Sequence, residues 1–257
     1  MMSFLDSFLL GIVEGITEFL PISSTGHLIL SSYFLGLPES SFVKSFEIAI
    51  QLGAILAVFS LYFQHLKKYP KLFITLSLAF IPTGIIGLLA YKTIKLYLFS
   101  PLTVSIALVV GGIVLLFIDR FTVEKEEKNL EIQNLPISKA VSIGFFQCIS
   151  MIPGVSRSAA TMIGGMSLGL SRVKAAEFSF LLALPTMCAA TGYDLLKTGF
   201  SFTAHEWTLF AVGFVTAFVF ALFSVKWLVK FLTSHGFAVF GWYRIILGTA
   251  VFLFLVL

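Results

Sequence analysis

Six stretches of about 20 mostly apolar residues recur along the chain, at 42–64, 72–91, 101–119, 175–196, 207–228 and 237–257. A helical run of that length matches the hydrocarbon thickness of a bilayer. Polar segments separate the runs: QHLKKYPK at 64–71, KTIKLYLFSP at 92–101 and TVEKEEKNLEIQNLP at 122–136, the last being the only long charged loop. The spacing predicts an all-α integral membrane protein with no room for a large soluble domain. Composition agrees. The 257 residues are 58% hydrophobic and 12% charged, whereas soluble domains average about 25% charged residues. Disordered, coiled-coil, collagenous and disulfide-stapled secreted classes are excluded.

The net charge of +4 is spread among span ends, with no basic patch dense enough for nucleic acid. Trp207, Trp227 and Trp242 fall near predicted span ends and read as interfacial anchors. Cys148 and Cys188 sit in apolar runs without metal-ligand spacing, and are expected as buried, reduced thiols. No Lys or Arg precedes the apolar part of MMSFLDSFLLGIVEG, which argues against a cleaved signal peptide. Lys67, Lys68 and Lys71, with Arg120, Lys125 and Lys128, outnumber Lys92 and Lys95. That bias orients the richer loops to the cytoplasm and both termini outward.

Two more apolar stretches are broken. Residues 3–36 carry Glu14, Glu18, Pro21 and the polar run Ser23 to His27, and residues 138–170 carry Gln147, Pro153, Gly154 and Ser156 to Ser158. Each reads as helix, break, helix, a hairpin that enters and leaves on one face. Irregular backbone at membrane depth is tolerated where protein buries it or a cavity borders it. A shift of 133 positions sets Gly11 on Gly144, Glu14 on Gln147, Thr17 on Ser150 and Ser23 on Ser156. Slightly further on, FEIAIQL (46–52) matches EFSFLLA (177–183) through Glu47 and Glu177. One broken hairpin and three spans per half predict a single membrane domain over 1–257. It would hold inverted-topology repeats at about 1–121 and 137–257, joined by the loop 122–136. Such repeats bring their broken elements together near the midplane.

Glu14, Glu18 and Arg157 are ionisable residues in apolar surroundings, each worth roughly 2.5–3.5 kcal/mol at a helix centre on insertion scales. They must face a cavity, pair, or bind something charged. Glu14 and Glu18 share one helical face, suiting a divalent cation or an acid–base division. Pro21 breaks the first helix, and Ser23 or Ser24 is a natural N-cap for the next. A helix N-terminus is an anion site. Ser24 and His27 lie three apart, a hydroxyl nucleophile beside an acid or base; the plainer alternative is a capping serine near an incidental histidine. In the second hairpin Arg157 sits in the first helical turn, where it opposes the helix dipole but suits phosphate oxygens. Its plainer alternative is a salt bridge to a glutamate. Glu47 and Gln51, and Glu177 from the other half, are candidates to border the same cavity. His65, His205 and His235 read as surface residues.

The segments EGITEFLPISSTGH (14–27) and PGVSRSAAT (153–161) closely resemble the two signature motifs of the bacterial undecaprenyl-diphosphate phosphatases of the bacitracin-resistance type. The resemblance continues through FEIAIQLGAILAV (46–58), ALVVGGIVLL (107–116), EFSFLLALP (177–185) and AVGFVTAFVFAL (211–222), and so covers essentially the whole chain. It implies six transmembrane helices plus two re-entrant helical hairpins. It also implies release of the terminal phosphate from a C55 isoprenyl diphosphate in the bacterial plasma membrane, on the periplasmic or outer side. Recycling that carrier serves peptidoglycan synthesis and resists bacitracin. Carried onto this sequence, the reaction would use Ser24, His27, Glu18 and Arg157. Ser23, Thr25, Gly154, Ser156, Ser158 and Thr161 would join Arg157 around the substrate. Glu14 and Glu18 would hold a divalent metal, Mg2+ or Ca2+. Either His27 or Glu18 would manage the serine proton, and direct water attack competes with a phosphoserine. The lipid diphosphate and the membrane are the implied partners, and a homo-oligomer is compatible with the sequence. The rival class is transport, a polyprenyl-phosphate flippase or another inverted-repeat carrier.

Overall fold

The computed structural model describes residues 2–38, 40–97, 100–122, 130–198 and 202–255. Those residues form α-helices without a strand: α1 (Phe4–Thr17), α2 (Ser24–Phe34), α3 (Ser41–Lys68), α4 (Lys71–Tyr97), α5 (Pro101–Thr122), α6 (Ile137–Cys148), α7 (Arg157–Ser167), α8 (Arg172–Thr198), α9 (Ala204–Leu232) and α10 (Ala238–Leu255). Single 3-10 turns cover Ile132–Asn134 and Ile149–Met151. Among the described residues α3, α4, α5, α8 and α9 are long and apolar enough to cross a membrane. The sixth expected span is α10, whose apolar run, Ala238–Phe254, is shorter. Their outer faces are apolar: Leu89 is 80% exposed and Phe223 68%, as lipid contact allows and water would not.

Local chemistry starts and stops the helices. Ser3 with Asp6 and Thr203 with Glu206 form capping boxes at α1 and α9, and the Ser40 hydroxyl caps α3. α1 packs on α9, α6 on α4, α3 on both α8 and α9, and α5 along α10. Two of these contacts need glycine. A Cβ on Gly11 would stand 2.7 Å from the Gly213 carbonyl of α9, and one on Gly144 would collide with the Ala79 carbonyl of α4.

Several sequence expectations change. α4 continues to Tyr97, so Lys92 and Lys95 belong to a helix rather than a loop. Apolar helix propensity carries the chain through two isolated lysines. Lys125 and Lys128 of the charged central loop lie outside the described residues. Cys188 is exposed on the outer face and Cys148 half-buried, so neither is a core thiol; both are free. His65 is half-buried, with its Nε2 enclosed and its ring packed on Tyr69.

Candidate active site

Both broken stretches form hairpins that meet inside the protein. In the first, α1 gives way at Glu18 to the buried turn Phe19–Ile22, and α2 starts at Ser24. Ser23 precedes α2 with φ of 73°, the only non-glycine in the left-handed region among the described residues. Its side chain makes no cap hydrogen bond. Ser23 is thus an N-cap by position only. In the second hairpin the 3-10 turn and Gly154, at φ 92°, reverse the chain. A Cβ on Gly154 would also lie 2.7 Å from the Val104 carbonyl, so only glycine fits. Here the cap is complete: Ser156 Oγ accepts from the Ala159 amide at 3.2 Å.

The loops lock to each other. Ser158 Oγ donates to the Leu20 carbonyl at 2.7 Å, and Ser156 Oγ stands 2.8 Å from Ser158 Oγ. Thr161 Oγ1 donates to Ser179 Oγ of α8 at 2.6 Å. Across this seam Arg157 Nη2 donates to Glu18 Oε1 at 2.8 Å, and Nη1 to the Ser179 carbonyl at 2.9 Å. The guanidinium lies over the Phe19 ring, and its buried Nε has no partner. The other oxygen of Glu18, Oε2, accepts from Ser24 Oγ at 2.6 Å. One buried carboxylate therefore joins the first residue of α2 to the first residue of α7.

Glu14, one turn back on α1, is fully buried, and both its oxygens lack a hydrogen-bond partner. Glu47 of α3 accepts from Ser32 Oγ at 2.7 Å. Among the described residues no three His, Cys, Asp or Glu side chains converge as a ready cation site. A carboxylate with two orphaned oxygens beside Glu18 nonetheless fits a hard cation that draws its remaining oxygens from substrate and water.

His27 turns away from Ser24. Its Nδ1 donates to the Ser23 carbonyl at 2.8 Å, and its Nε2 pairs with Tyr243 Oη at 2.6 Å while the two rings stack. Thr25 is exposed and Gly154 contributes its carbonyl. Glu177 does not join the site: it pairs with Lys174 at 3.1 Å, and Lys174 also reaches Glu131. Local charge pairing near the start of α8 decides its direction.

Sequence reasoning passed over Arg244, Tyr243 and Ser179. Arg244 is 1% exposed, with no carboxylate pairing it among the described residues. It lies in an apolar run, and the depth criterion applied to Glu14 and Arg157 would have found it.

The family model described as bacitracin resistance protein BacA matches residues 7–250. The chain belongs to that family. Among its relatives, the undecaprenyl-diphosphatase of Aquifex aeolicus is 55% identical, the alignment covering 97% of this chain and 98% of that one. That of Persephonella marina is 54% identical, covering 98% and 99%. That of Wolinella succinogenes is 51% identical, covering 98% of each. The match spans both hairpin turns just described.

Proposed function

We propose that this chain is an undecaprenyl-diphosphatase of the bacterial plasma membrane, releasing the terminal phosphate of a C55 isoprenyl diphosphate and leaving the monophosphate carrier lipid. The observation that carries the reading is the bridge Ser24–Glu18–Arg157 across the two hairpins, in a chain of the BacA family. It joins a hydroxyl, a proton acceptor and a guanidinium at two helix N-termini, the groups that phosphoryl transfer requires.

In this mechanism phosphate oxygens take over Arg157 from Glu18, in the bidentate manner a guanidinium favours. Glu18 is then free to take the Ser24 proton as Oγ attacks the terminal phosphorus. The anhydride P–O bond breaks, and the lipid monophosphate leaves with that electron pair. Water then attacks the phosphoserine phosphorus, Glu18 returns its proton to Ser24 Oγ as the P–Oγ bond breaks, and inorganic phosphate leaves. Glu18 is favoured over His27 because Ser24 Oγ already donates to it, whereas both His27 nitrogens are engaged elsewhere. Glu14 with Glu18 would hold a divalent cation, Mg2+ fitting two carboxylates better than the six to eight oxygens of Ca2+. When bound, it neutralises charge on the diphosphate.

The architecture proposed is six spans with two re-entrant hairpins in inverted repeats. Support comes from equivalent packing: under the shift that relates Gly11 to Gly144, the α1–α9 contact corresponds to α6–α4. The outward-facing site in this reading rests on the family resemblance, and the Lys/Arg bias orients only the loops and termini. Purified protein should release phosphate from a long isoprenyl diphosphate and lose that activity to a chelator. No release with any divalent metal would favour transport of the lipid, which the inverted packing alone also permits.

A further inference from the structure

Arg244 occupies the centre of the hairpin seam. Among the described residues its acceptors are all backbone carbonyls: Pro21 from Nη1 at 3.2 Å, Gly154 and Ala107 from Nη2 at 3.0 Å each, and Leu108 from Nε at 3.4 Å. Pro21 and Gly154 are the turn residues of the two loops, and the 133-position shift that relates the hairpins sets one upon the other. The same shift sets Arg244 on Gly111 of α5. A Cβ at Gly111 would collide with the Arg244 guanidinium, so the position equivalent to Arg244 is kept empty to admit it. A single guanidinium from one half thus serves equivalent carbonyls of both halves.

A leucine would fill this volume without burying a charge. Arginine adds a rigid planar fork whose donors fix several acceptors at once. Its frame is firm, since α10 packs along α5, and α5 supplies Ala107 and Leu108. The neighbouring Tyr243 reaches His27 at 2.6 Å, so α10 touches the first hairpin twice. We propose that Arg244 is the positioning residue that sets the spacing of the two loops, and through it the placing of Ser24 against Arg157. The clamp itself is independent of chemistry; its effect on turnover rests on the phosphatase reading.

The test uses Arg244→Lys, Arg244→Met and Gly111→Ala in the full chain in lipid nanodiscs. Hydrogen exchange is followed in segments 19–27 and 152–160, and turnover on a long isoprenyl diphosphate is measured. Both segments should lose protection together, by about tenfold or more, while α3 and α9 keep theirs. kcat should fall by about a hundredfold, the scale of an ångström-level misplacement, with KM moving less than about threefold. Gly111→Ala, which leaves the arginine in the chain but crowds its head, should reproduce both effects. Wild-type exchange, loosening of one loop only, or a KM change at constant kcat would overturn the proposal. So would loss of protection throughout α3 and α9 in all three variants, which would make Arg244 a residue of the general fold. A wild-type chain that releases no phosphate defeats the phosphatase reading instead, and the exchange arm still decides the clamp.

Discussion

Glu18 divides its two carboxylate oxygens between Arg157, at 2.8 Å, and Ser24, at 2.6 Å. The pair Glu18–Arg157 spans 139 positions of sequence and is nearly dry, with the side chains 3% and 9% exposed. Ser24→Ala should abolish turnover, and Glu18→Gln should lower kcat by about 10²–10⁴-fold, the usual range for a proton acceptor. The two residues act as a unit, so the double variant should be no worse than Ser24→Ala alone. Steady-state phosphate release measures all three, and full activity in Ser24→Ala would remove the nucleophile. Phosphate trapped on Ser24 would separate the phosphoserine route from direct water attack.

Arg157→Ala leaves Glu18 buried without its cation, a change that costs about 3–5 kcal/mol and confounds function with folding. Arg157→Lys is the cleaner variant. It keeps a charge but loses the planar fork, so it should stay folded while KM for the diphosphate rises and kcat falls. Thermal unfolding beside kinetics separates the two, and unchanged kinetics in the folded lysine variant would take Arg157 out of the site.

Tyr243→Phe removes the hydroxyl on His27 Nε2 and leaves the stacked ring. If His27 only orients the α2 entry, stability should fall by about 1 kcal/mol and turnover by less than about tenfold. Loss approaching that of Ser24→Ala would return the histidine to the proton transfer.

Glu14→Gln should raise the Mg2+ concentration needed for half-maximal activity by about tenfold or more. Calorimetric titration with Mg2+ and a non-hydrolysable diphosphate checks this apart from turnover. An unchanged metal requirement would take Glu14 off the cation.

Gly144→Ala should lower stability by about 1–3 kcal/mol, because its Cβ meets the Ala79 carbonyl where α6 crosses α4. Gly192→Ala, in α8 with open space around it, should be neutral or slightly stabilising. A thermal shift series in detergent compares them, and equal midpoints would dismiss the close-contact argument.

The hairpins were legible because Pro21, Pro153 and Gly154 interrupt apolar runs beside charged and hydroxyl residues. The partner of Ser24 was not. Spacing favoured His27, three positions on in α2, but its ring is held by the Ser23 carbonyl and by Tyr243 of α10. The chain before Ser24 folds back, bringing Glu18 nearer. The Arg157–Glu18 contact stood only as the plainer alternative, since pairing across the two halves depends on tertiary packing. Arg244 escaped because it follows Trp242 and Tyr243 and reads like the end of an interfacial belt. The apolar run around it marks its depth, but what it holds appears only when α10 lies along α5.

The resting contact between Glu18 and Arg157 has a consequence for the membrane itself. A bare guanidinium inside a bilayer protein would be a foothold for chloride and free phosphate, and a step towards an anion leak. With Glu18 upon it, Arg157 offers small monovalent anions little net attraction. Only a ligand bringing several negative charges at once, together with a lipid tail that holds it in place, competes well with the internal carboxylate. The ion pair that keeps the site closed to ions is also the one that a lipid diphosphate is equipped to displace.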